Sequence, residues 1–413
     1  MEVFLKLVFL ISFVGISYYS IWLLTLVLNS IHQQSIGDNP QKLESMRMII
    51  LMPMLNEKSV VNQTLTGFLN NTSGLPINLL VIDDGSEDQT AKEVKNFIKR
   101  KNCNNKIELI QRYFPNAQTG KGDALNYGLN FIRRSNKVPE SHVIIGILDA
   151  DAVMHKNDYK KVIDQFETDL KLDLLQIKVR MLNTNNWLQI MQDIEFATIN
   201  DWIQRVRNRL HNAAASGNGQ FIRLSSMNTK PWGNALLEDF EFSTKFLLDG
   251  KKTRYRSDIV VYQEAIGKLR PFIRQRSRWV QGGLDCIAKY LKKIIRSNQL
   301  GFWAKFEMIF FMVLPFLTII VGFSNMVVLI YALIHIRQFY ELFIFLTIID
   351  MLLSYYMGIK YILNEGKVTI KTVLTCAGMT IYNVILYPAI VIAFYRKLTN
   401  QSYWIKTTHG ITQ

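Results

Sequence analysis

Asp149-Ala150-Asp151 places two carboxylates two residues apart, and in extended backbone residues i and i+2 project to the same side. Such a pair can share one hard cation, Mg²⁺ or Mn²⁺, which can also bridge phosphate oxygens. The chain has 33 acidic residues, so an isolated triplet of this kind would read as a solvated turn. Here it ends the apolar run Val143 to Leu148, which gives it a fixed position. Asp83-Asp84-Gly85-Ser86 ends a second run. These residue types favour turns and helix caps, yet a carboxylate there can equally accept hydrogen bonds from a nucleotide base or ribose. Pro53-Met54-Leu55-Asn56-Glu57 carries the same two readings.

Three further clusters add cations and a base. Gly120-Lys121-Gly122 opens a helix, where free backbone N–H groups and a lysine suit a phosphate. It lacks the spacing of an ATPase loop. Leu237-Glu238-Asp239-Phe240-Glu241 starts another helix, after the glycine-rich Ser216 to Gln220. Acids in a first turn suit the helix dipole, and Asp239, beside Glu238, is the candidate general base for a hydroxyl. Gln275-Arg276-Ser277-Arg278-Trp279 combines an amide, the planar cation of Arg278 and an indole, a set able to hold a diphosphate and stack on a sugar face.

The elements that position these residues alternate in type. Met48 to Met52, Leu79 to Ile82 and Val143 to Leu148 are short apolar runs suited to buried strands. Helical stretches such as Thr90 to Arg100 and Asp123 to Arg133 separate them. The alternation implies an α/β domain with a mostly parallel sheet. Ligands of such sheets bind beyond the carboxyl ends of the strands, so the acidic clusters should converge on one crevice.

Long apolar segments flank this domain. Leu7 to Leu28, Met308 to Ile334 and Val373 to Phe394 contain no charge, and each exceeds the roughly 20 residues a membrane-spanning helix needs. Leu342 to Leu363 is a fourth candidate, interrupted by Asp350 and Lys360. The expected organisation is an anchor over 1–30, a catalytic domain over 45–284, an amphipathic helix in the membrane interface over 285–306, about three spans over 307–395, and a cytoplasmic-type tail over 396–413. The interface helix rests on the stripe Cys286-Ile287, Tyr290-Leu291, Ile294-Ile295, with Lys289, Lys292, Lys293 and Arg296 off it. The net charge of +15 fits basic loops facing the cytoplasm, and no basic tract or recognition motif supports nucleic-acid binding. Cys103, Cys286 and Cys376 lie too far apart for a disulfide framework or a cysteine zinc site. An odd number of later spans puts the tail outside, whereas Arg396, Lys397 and Lys406 argue for inside. A re-entrant segment, split at Pro315 or Pro388, or two spans in place of one, would resolve this.

In this order, at 83, 149, 238 and 275, the Asp-Asp-Gly-Ser, Asp-x-Asp, Glu-Asp and Gln-x-x-Arg-Trp elements resemble those of the processive family 2 glycosyltransferases, which include cellulose, hyaluronan and poly-N-acetylglucosamine synthases. The resemblance spans about residues 47 to 290, and Arg274 to Gly283 looks closest to the poly-N-acetylglucosamine synthases. It implies a cytoplasmic GT-A (Rossmann-like) domain inserted between transmembrane helices of the cell membrane, and an inverting transfer from a UDP-sugar, UDP-N-acetylglucosamine or UDP-glucose, to a growing polysaccharide. By the same resemblance Asp84, with Asp83 and Glu57, would hold the uridine. Lys121, Gln275 and Arg278 would face the diphosphate. Asp151 with Asp149 would bind the metal, Asp239 would take the acceptor proton, and Trp279 would stack under the acceptor sugar. A small accessory membrane subunit is a further expected partner. Two departures stand out: Leu237 replaces the usual threonine before Glu238-Asp239, and Ser216 to Phe221 lacks the aromatic acceptor motif of cellulose synthases. The alternative reading is a non-processive transferase that adds one sugar to a lipid or cell-wall carrier.

Overall fold

The computed structural model describes residues 2–30, 46–233, 235–334, 341, 345, 348, 352, 355–363 and 378–399. Each apolar run becomes a strand: β1 (Arg47–Met54), β2 (Ile77–Asp83) and β4 (Val143–Ile147). With β3 (Ile107–Gln111) they form a parallel half-sheet ordered β3-β2-β1-β4. Both faces of this half are covered, which is why its strands are nearly continuous apolar runs. Met48, Ile50 and Met52 face a core completed by Val94 and Phe97 of α3 (Thr90–Lys101). Ile49 and Leu51 face one completed by Leu125 and Leu129 of α4 (Lys121–Ser135). α2 (Val61–Thr72) joins the first of these layers.

The other half departs from the expected mostly parallel sheet. β7 (Gln220–Arg223) runs antiparallel to both β4 and β6 (Leu174–Met181). Beyond β6 lie β8 (Thr253–Gln263), parallel to it, and β5 (Val153–Met154), antiparallel to β8. α5 (Lys156–Thr168) connects β5 to β6. The reversal matters for the crevice. An antiparallel strand begins where its parallel neighbour ends, so the turn before β7, with Gly217 at φ 78° and Gly219 at φ 66°, is delivered to the carboxyl end of β4. Positive φ at both positions is the conformation glycine adopts at little cost.

After β6 come α6 (Trp187–Glu195), a π-helical turn at Phe196–Asn200, and α7 (Asp201–Arg209). α8 (Glu238–Leu248) begins at the acidic cluster, as expected. The helix bearing Gln275 to Trp279, α9, is continuous from Leu269 to Arg296, so the expected boundary at 284/285 falls inside it. Its Cys286, Tyr290 and Ile294 are buried against Phe240 and Leu247 of α8 and Met308 and Met312 of α10 (Phe302–Ile334). That edge of the stripe expected to meet lipid is therefore covered by protein, because two neighbouring helices supply a closer apolar surface. Ile295 alone of the stripe is exposed.

Phe302–Val328 and Ile381–Leu398 are long and apolar enough to cross a membrane. α1 (Glu2–Ser30) lies along α10, with Ser12 bonded to Asn325 at 2.5 Å and Phe9 edge-on to Tyr331. A Cβ on Gly15 would meet Val321 Cγ2 at 2.5 Å, the close approach that small residues permit between helices. α11 (Met379–Leu398) ends with Lys397 paired to Asp285 and Arg396 donating to Ser277 Oγ at 3.3 Å, so its basic end sits beside α9. Residues 355–363 are helical. Asp350, Cys376 and the tail from residue 400 onward, with Lys406, lie outside the described residues.

Gly146 of β4 tests the packing beneath the crevice: a Cβ there would meet Ile50 Cδ1 at 2.5 Å and the Phe221 ring at 2.8 and 2.9 Å. Gly146→Ala should cost about 1–3 kcal/mol by overpacking, read as a lowered thermal midpoint of the detergent-solubilised protein. A wild-type midpoint would show that the sheet yields at this point.

Candidate active site

A cavity of about 500 Å³ opens at the carboxyl ends of β1, β2 and β4. Ten of the residues singled out from sequence line it: Glu57, Asp84, Lys121, Asp149, Asp151, Glu238, Asp239, Gln275, Arg278 and Trp279. Asp83 does not reach its wall. That carboxylate is buried within the sheet edge, Oδ2 accepting from Gln111 Nε2 at 3.5 Å, while Oδ1 is buried with no hydrogen-bond partner among the described residues. The cavity continues past Trp279 to Phe311, Met312, Leu314 and Pro315 of α10.

Asp84 anchors one end. Its Oδ1 accepts from Arg112 Nη1 at 2.6 Å and from the Gln118 backbone N–H at 3.1 Å. Burial raises its pKa, the neighbouring Asp83 adds to the rise, and Gln118 and Arg112 oppose it without cancelling it. Glu57 lies close by because β1 and β2 are in register, Met54 opposite Asp83. Its backbone N–H donates to Thr90 Oγ1 at 2.8 Å.

At the centre, Lys121 Nζ sits 2.6 Å from Asp149 Oδ1, 3.0 Å from the Gly217 carbonyl and 3.9 Å from Glu238 Oε1. Burial disfavours the ammonium, but Asp149, Glu238 and Asp239 outweigh it and hold its pKa above the usual lysine value. The lysine expected to face a diphosphate thus neutralises the first carboxylate of the Asp-x-Asp pair. Asp239, at the first turn of α8, accepts from its neighbour's N–H, Phe240, at 2.8 Å. Burial, then the negative charge of Glu238, push Asp239 up to about 7, against the opposing pull of Lys121. A carboxylate tuned there can take a proton near neutral pH.

Asp151 Oδ2 accepts from the Glu264 N–H at 2.8 Å, which fixes the second carboxylate of the pair against the end of β8. Asp149 and Asp151 offer hard oxygen donors on one wall, chemistry that suits Mg²⁺ or Mn²⁺. Among the described residues no group of three or more His, Cys, Asp or Glu gathers as a self-sufficient metal site, so such an ion would draw its remaining ligands from phosphate or water. On the far wall, Trp279 meets Phe196 edge-on, centroids 6.4 Å apart, and the Arg276 guanidinium lies 4.4 Å from its ring centre. Arg278 Nε is buried with no hydrogen-bond partner among the described residues.

Three residues that hold this site together were not singled out from sequence. Arg112 follows β3, and only the β2–β3 pairing, with Gln111 opposite Asp83, brings it to Asp84. Arg276 lies inside the Gln-x-x-Arg-Trp phrase but points away from the cavity, forming a two-pronged pair with Glu195 at 2.8 and 2.7 Å. Glu241, fully buried, accepts from Tyr290 Oη at 2.7 Å and pairs with Lys289, tying α8 to α9. Its position three residues after Glu238 was the available signal: the helix turns it to the same side as the cluster, one turn further on.

A family model described as glycosyl transferase family group 2 matches residues 144–396, and one described as glycosyl transferase family 2 matches 49–225. Poly-beta-1,6-N-acetyl-D-glucosamine synthase from Staphylococcus epidermidis is 25% identical over 394 residues, 91% of this chain and 87% of its own length. The protein of the same name from Staphylococcus aureus is 25% identical over 256 residues, 60% of this chain and 57% of its own. Among solved structures, a mannosyltransferase from Pyrobaculum calidifontis in complex with GDP-Man and Mn²⁺ aligns at a TM-score of 0.60. That alignment has 13% identity and covers 97% of this chain and 99% of the other. The expected GT-A arrangement, a Rossmann-like α/β body, is shared with it.

The Arg112–Asp84 pair should be the most sensitive point at the Asp84 end of the cavity. Arg112→Leu leaves a carboxylate in the sheet edge without its cation, which should cost about 3 kcal/mol, the low end for a buried pair because the site opens on a cavity. Thermal unfolding measures it; an unchanged midpoint would mean that water reaches Asp84 freely.

Proposed function

This chain belongs to the family 2 glycosyltransferases, and we propose that it polymerises a sugar, N-acetylglucosamine or glucose, from a UDP-sugar into a β-linked chain that it extrudes across the cell membrane. One observation carries the reading. A single cavity runs from Asp84 past Asp149 and Asp239 to Trp279, then on to Pro315 of a helix long and apolar enough to span a bilayer. Donor, base, acceptor platform and exit thus share one space. The 25% identity to poly-beta-1,6-N-acetyl-D-glucosamine synthase, over 91% of this chain, favours UDP-N-acetylglucosamine as the donor. On this reading the protein is multi-pass, with its catalytic domain cytoplasmic.

The residues divide the work. Glu57 and Asp84 line the end of the cavity that takes the uridine, with Asp83 buried in the sheet edge behind them. Asp149 and Asp151 would hold Mg²⁺ or Mn²⁺, which when bound supplies positive charge to the diphosphate. Arg278 and Gln275 face the same diphosphate, and donors fixed there before reaction stabilise the charge it gains on leaving. Trp279 stacks under the terminal acceptor sugar and sets its hydroxyl towards Asp239. Asp239 takes the hydroxyl proton as the oxygen bonds to the anomeric carbon. The bond from that carbon to the diphosphate breaks, and UDP departs with the electron pair. Attack from the face opposite the leaving group inverts the anomeric centre.

Membranes containing the protein, supplied with Mg²⁺ or Mn²⁺ and UDP-N-acetylglucosamine or UDP-glucose, test the proposal through UDP release and product size. A ladder of high-molecular-weight polymer from one sugar is the expected result. UDP release with only a one-sugar product would replace it with the carrier-transferase reading. The pH profile carries a second expectation. Transfer should fall about tenfold per pH unit below about pH 7 as Asp239 becomes protonated. Glu238→Gln removes a charge that raises Asp239, so the acid limb should move to lower pH by about one unit, and Lys121→Met should move it the opposite way. Limbs that stay in place in both variants would mean that another group titrates.

A further inference from the structure

Two carboxylates stand two residues apart on α6, Asp193 buried and Glu195 half-buried, and each is held by one arginine and one tyrosine. Asp193 takes a two-pronged bond from Arg180 of β6, at 2.8 and 2.7 Å, and a third from Tyr361 Oη at 2.6 Å. Glu195 takes a two-pronged bond from Arg276 of α9, at 2.8 and 2.7 Å, and a third from Tyr382 Oη at 2.5 Å. In both cases the arginine comes from the catalytic body. In both the tyrosine comes from the C-terminal helices, residues 355–363 and α11. Tyr361 and Tyr382 are 4% and 1% exposed.

α6 is also where the acceptor wall begins. The residue after Glu195 is Phe196, which lines the cavity and meets Trp279 edge-on. It opens the π-helical turn Phe196–Asn200, whose last residue also lines the cavity. Such turns break the regular α-helical ladder and often occur at functional sites. Arg276, the partner of Glu195, lies 4.4 Å from the centre of the Trp279 ring. The Glu195 relay therefore reaches the acceptor platform twice, through the chain to Phe196 and through the guanidinium to Trp279.

We propose that Tyr361 and Tyr382 are positioning residues that hold this acceptor wall in register with the C-terminal helices, and so set how long a growing chain is retained. The inference rests on the polymerase reading above. The double arrangement has a physical logic. Each arginine–carboxylate pair already neutralises its own charges within the catalytic body, and removing either member would leave a buried charge exposed to full desolvation cost. A tyrosine hydroxyl can leave the same carboxylate without unpairing any charge. It is therefore the bond in each set that can break and reform when the C-terminal helices shift relative to the body, since the Met181 N–H that also meets Asp193, at 2.9 Å, belongs to the body itself. Holding the wall keeps Trp279 beneath the terminal sugar between additions; releasing it lets the chain leave. Bond formation itself depends on Asp239 and the donor pocket, which these hydroxyls do not touch.

The test uses the full-length protein in membranes with UDP-N-acetylglucosamine and Mg²⁺, comparing wild type with the double variant Tyr361→Phe/Tyr382→Phe. Both arginine–carboxylate pairs survive these changes, so the fold should be retained. Tyr395→Phe, an exposed tyrosine on α11, is the control. The expected result is UDP release at the wild-type rate with product about 25-fold shorter, the product of the roughly fivefold equilibrium factors that the two lost hydrogen bonds carry. Tyr395→Phe should give wild-type length. Wild-type length in the double variant would overturn the inference, and so would UDP release falling in step with length, because that pattern marks a general structural defect. A wild-type protein that adds only one sugar would overturn the polymerase reading and this inference with it.

Discussion

One ammonium organises the centre of this protein. Lys121 Nζ is placed among the carboxylates of Asp149, Glu238 and Asp239, which come from the end of β4 and the start of α8. Without a cation at that point, three negative charges would converge in a desolvated crevice. With it, Asp149 is neutralised by direct contact while Asp239 keeps a raised proton affinity, because the charge of Glu238 and burial exceed the lysine's pull. The fold serves this arrangement. A parallel strand delivers Asp149, an antiparallel one delivers the Gly217 carbonyl that Lys121 also meets, and a buried Glu241 fixes α8 against α9.

Much of this was legible in the sequence because it depends on local pattern. Apolar runs ending in Asp, Gly or Ser marked strand ends, and a strand end in an α/β sheet is where ligands bind. Four residues chosen on that basis, Glu57, Asp84, Asp149 and Asp151, line one cavity with six chosen from helix starts and the Gln275 to Trp279 phrase. What could not be read depends on contacts between distant segments. Arg112 meets Asp84 only through the β2–β3 register, and the antiparallel β7 becomes apparent only once its partner strands are known. Asp83 and Asp84 illustrate the same limit. β2 ends at Asp83, which stays buried in the sheet edge, while Asp84, the first residue past the strand, lines the cavity.

The amphipathic stretch after Trp279 shows how a correct pattern can fit two environments. A stripe of Cys286, Tyr290 and Ile294 flanked by lysines suits a membrane interface and a protein surface equally well. The structure assigns that edge to α8 and α10 and leaves Ile295 outward. One continuous α9 therefore joins Trp279, the proposed acceptor platform, at its first half to the packing of α8 and α10 at its second. Any shift of α10 would be felt by α8, and α8 carries the acidic pair. The cavity that reaches Pro315 passes through the same junction, so the proposed catalytic and exit parts are built on shared helices.

The central claim is that Asp239 is the base of a sugar transfer carried out in this cavity. Asp239→Asn tests it most directly, with UDP affinity measured by titration calorimetry and transfer measured from the UDP-sugar on the same preparation. The account expects UDP affinity close to wild type together with transfer reduced at least a hundredfold, the lower range for loss of general-base catalysis, about 10²–10⁴. Transfer near the wild-type rate in a variant that still binds UDP would contradict it.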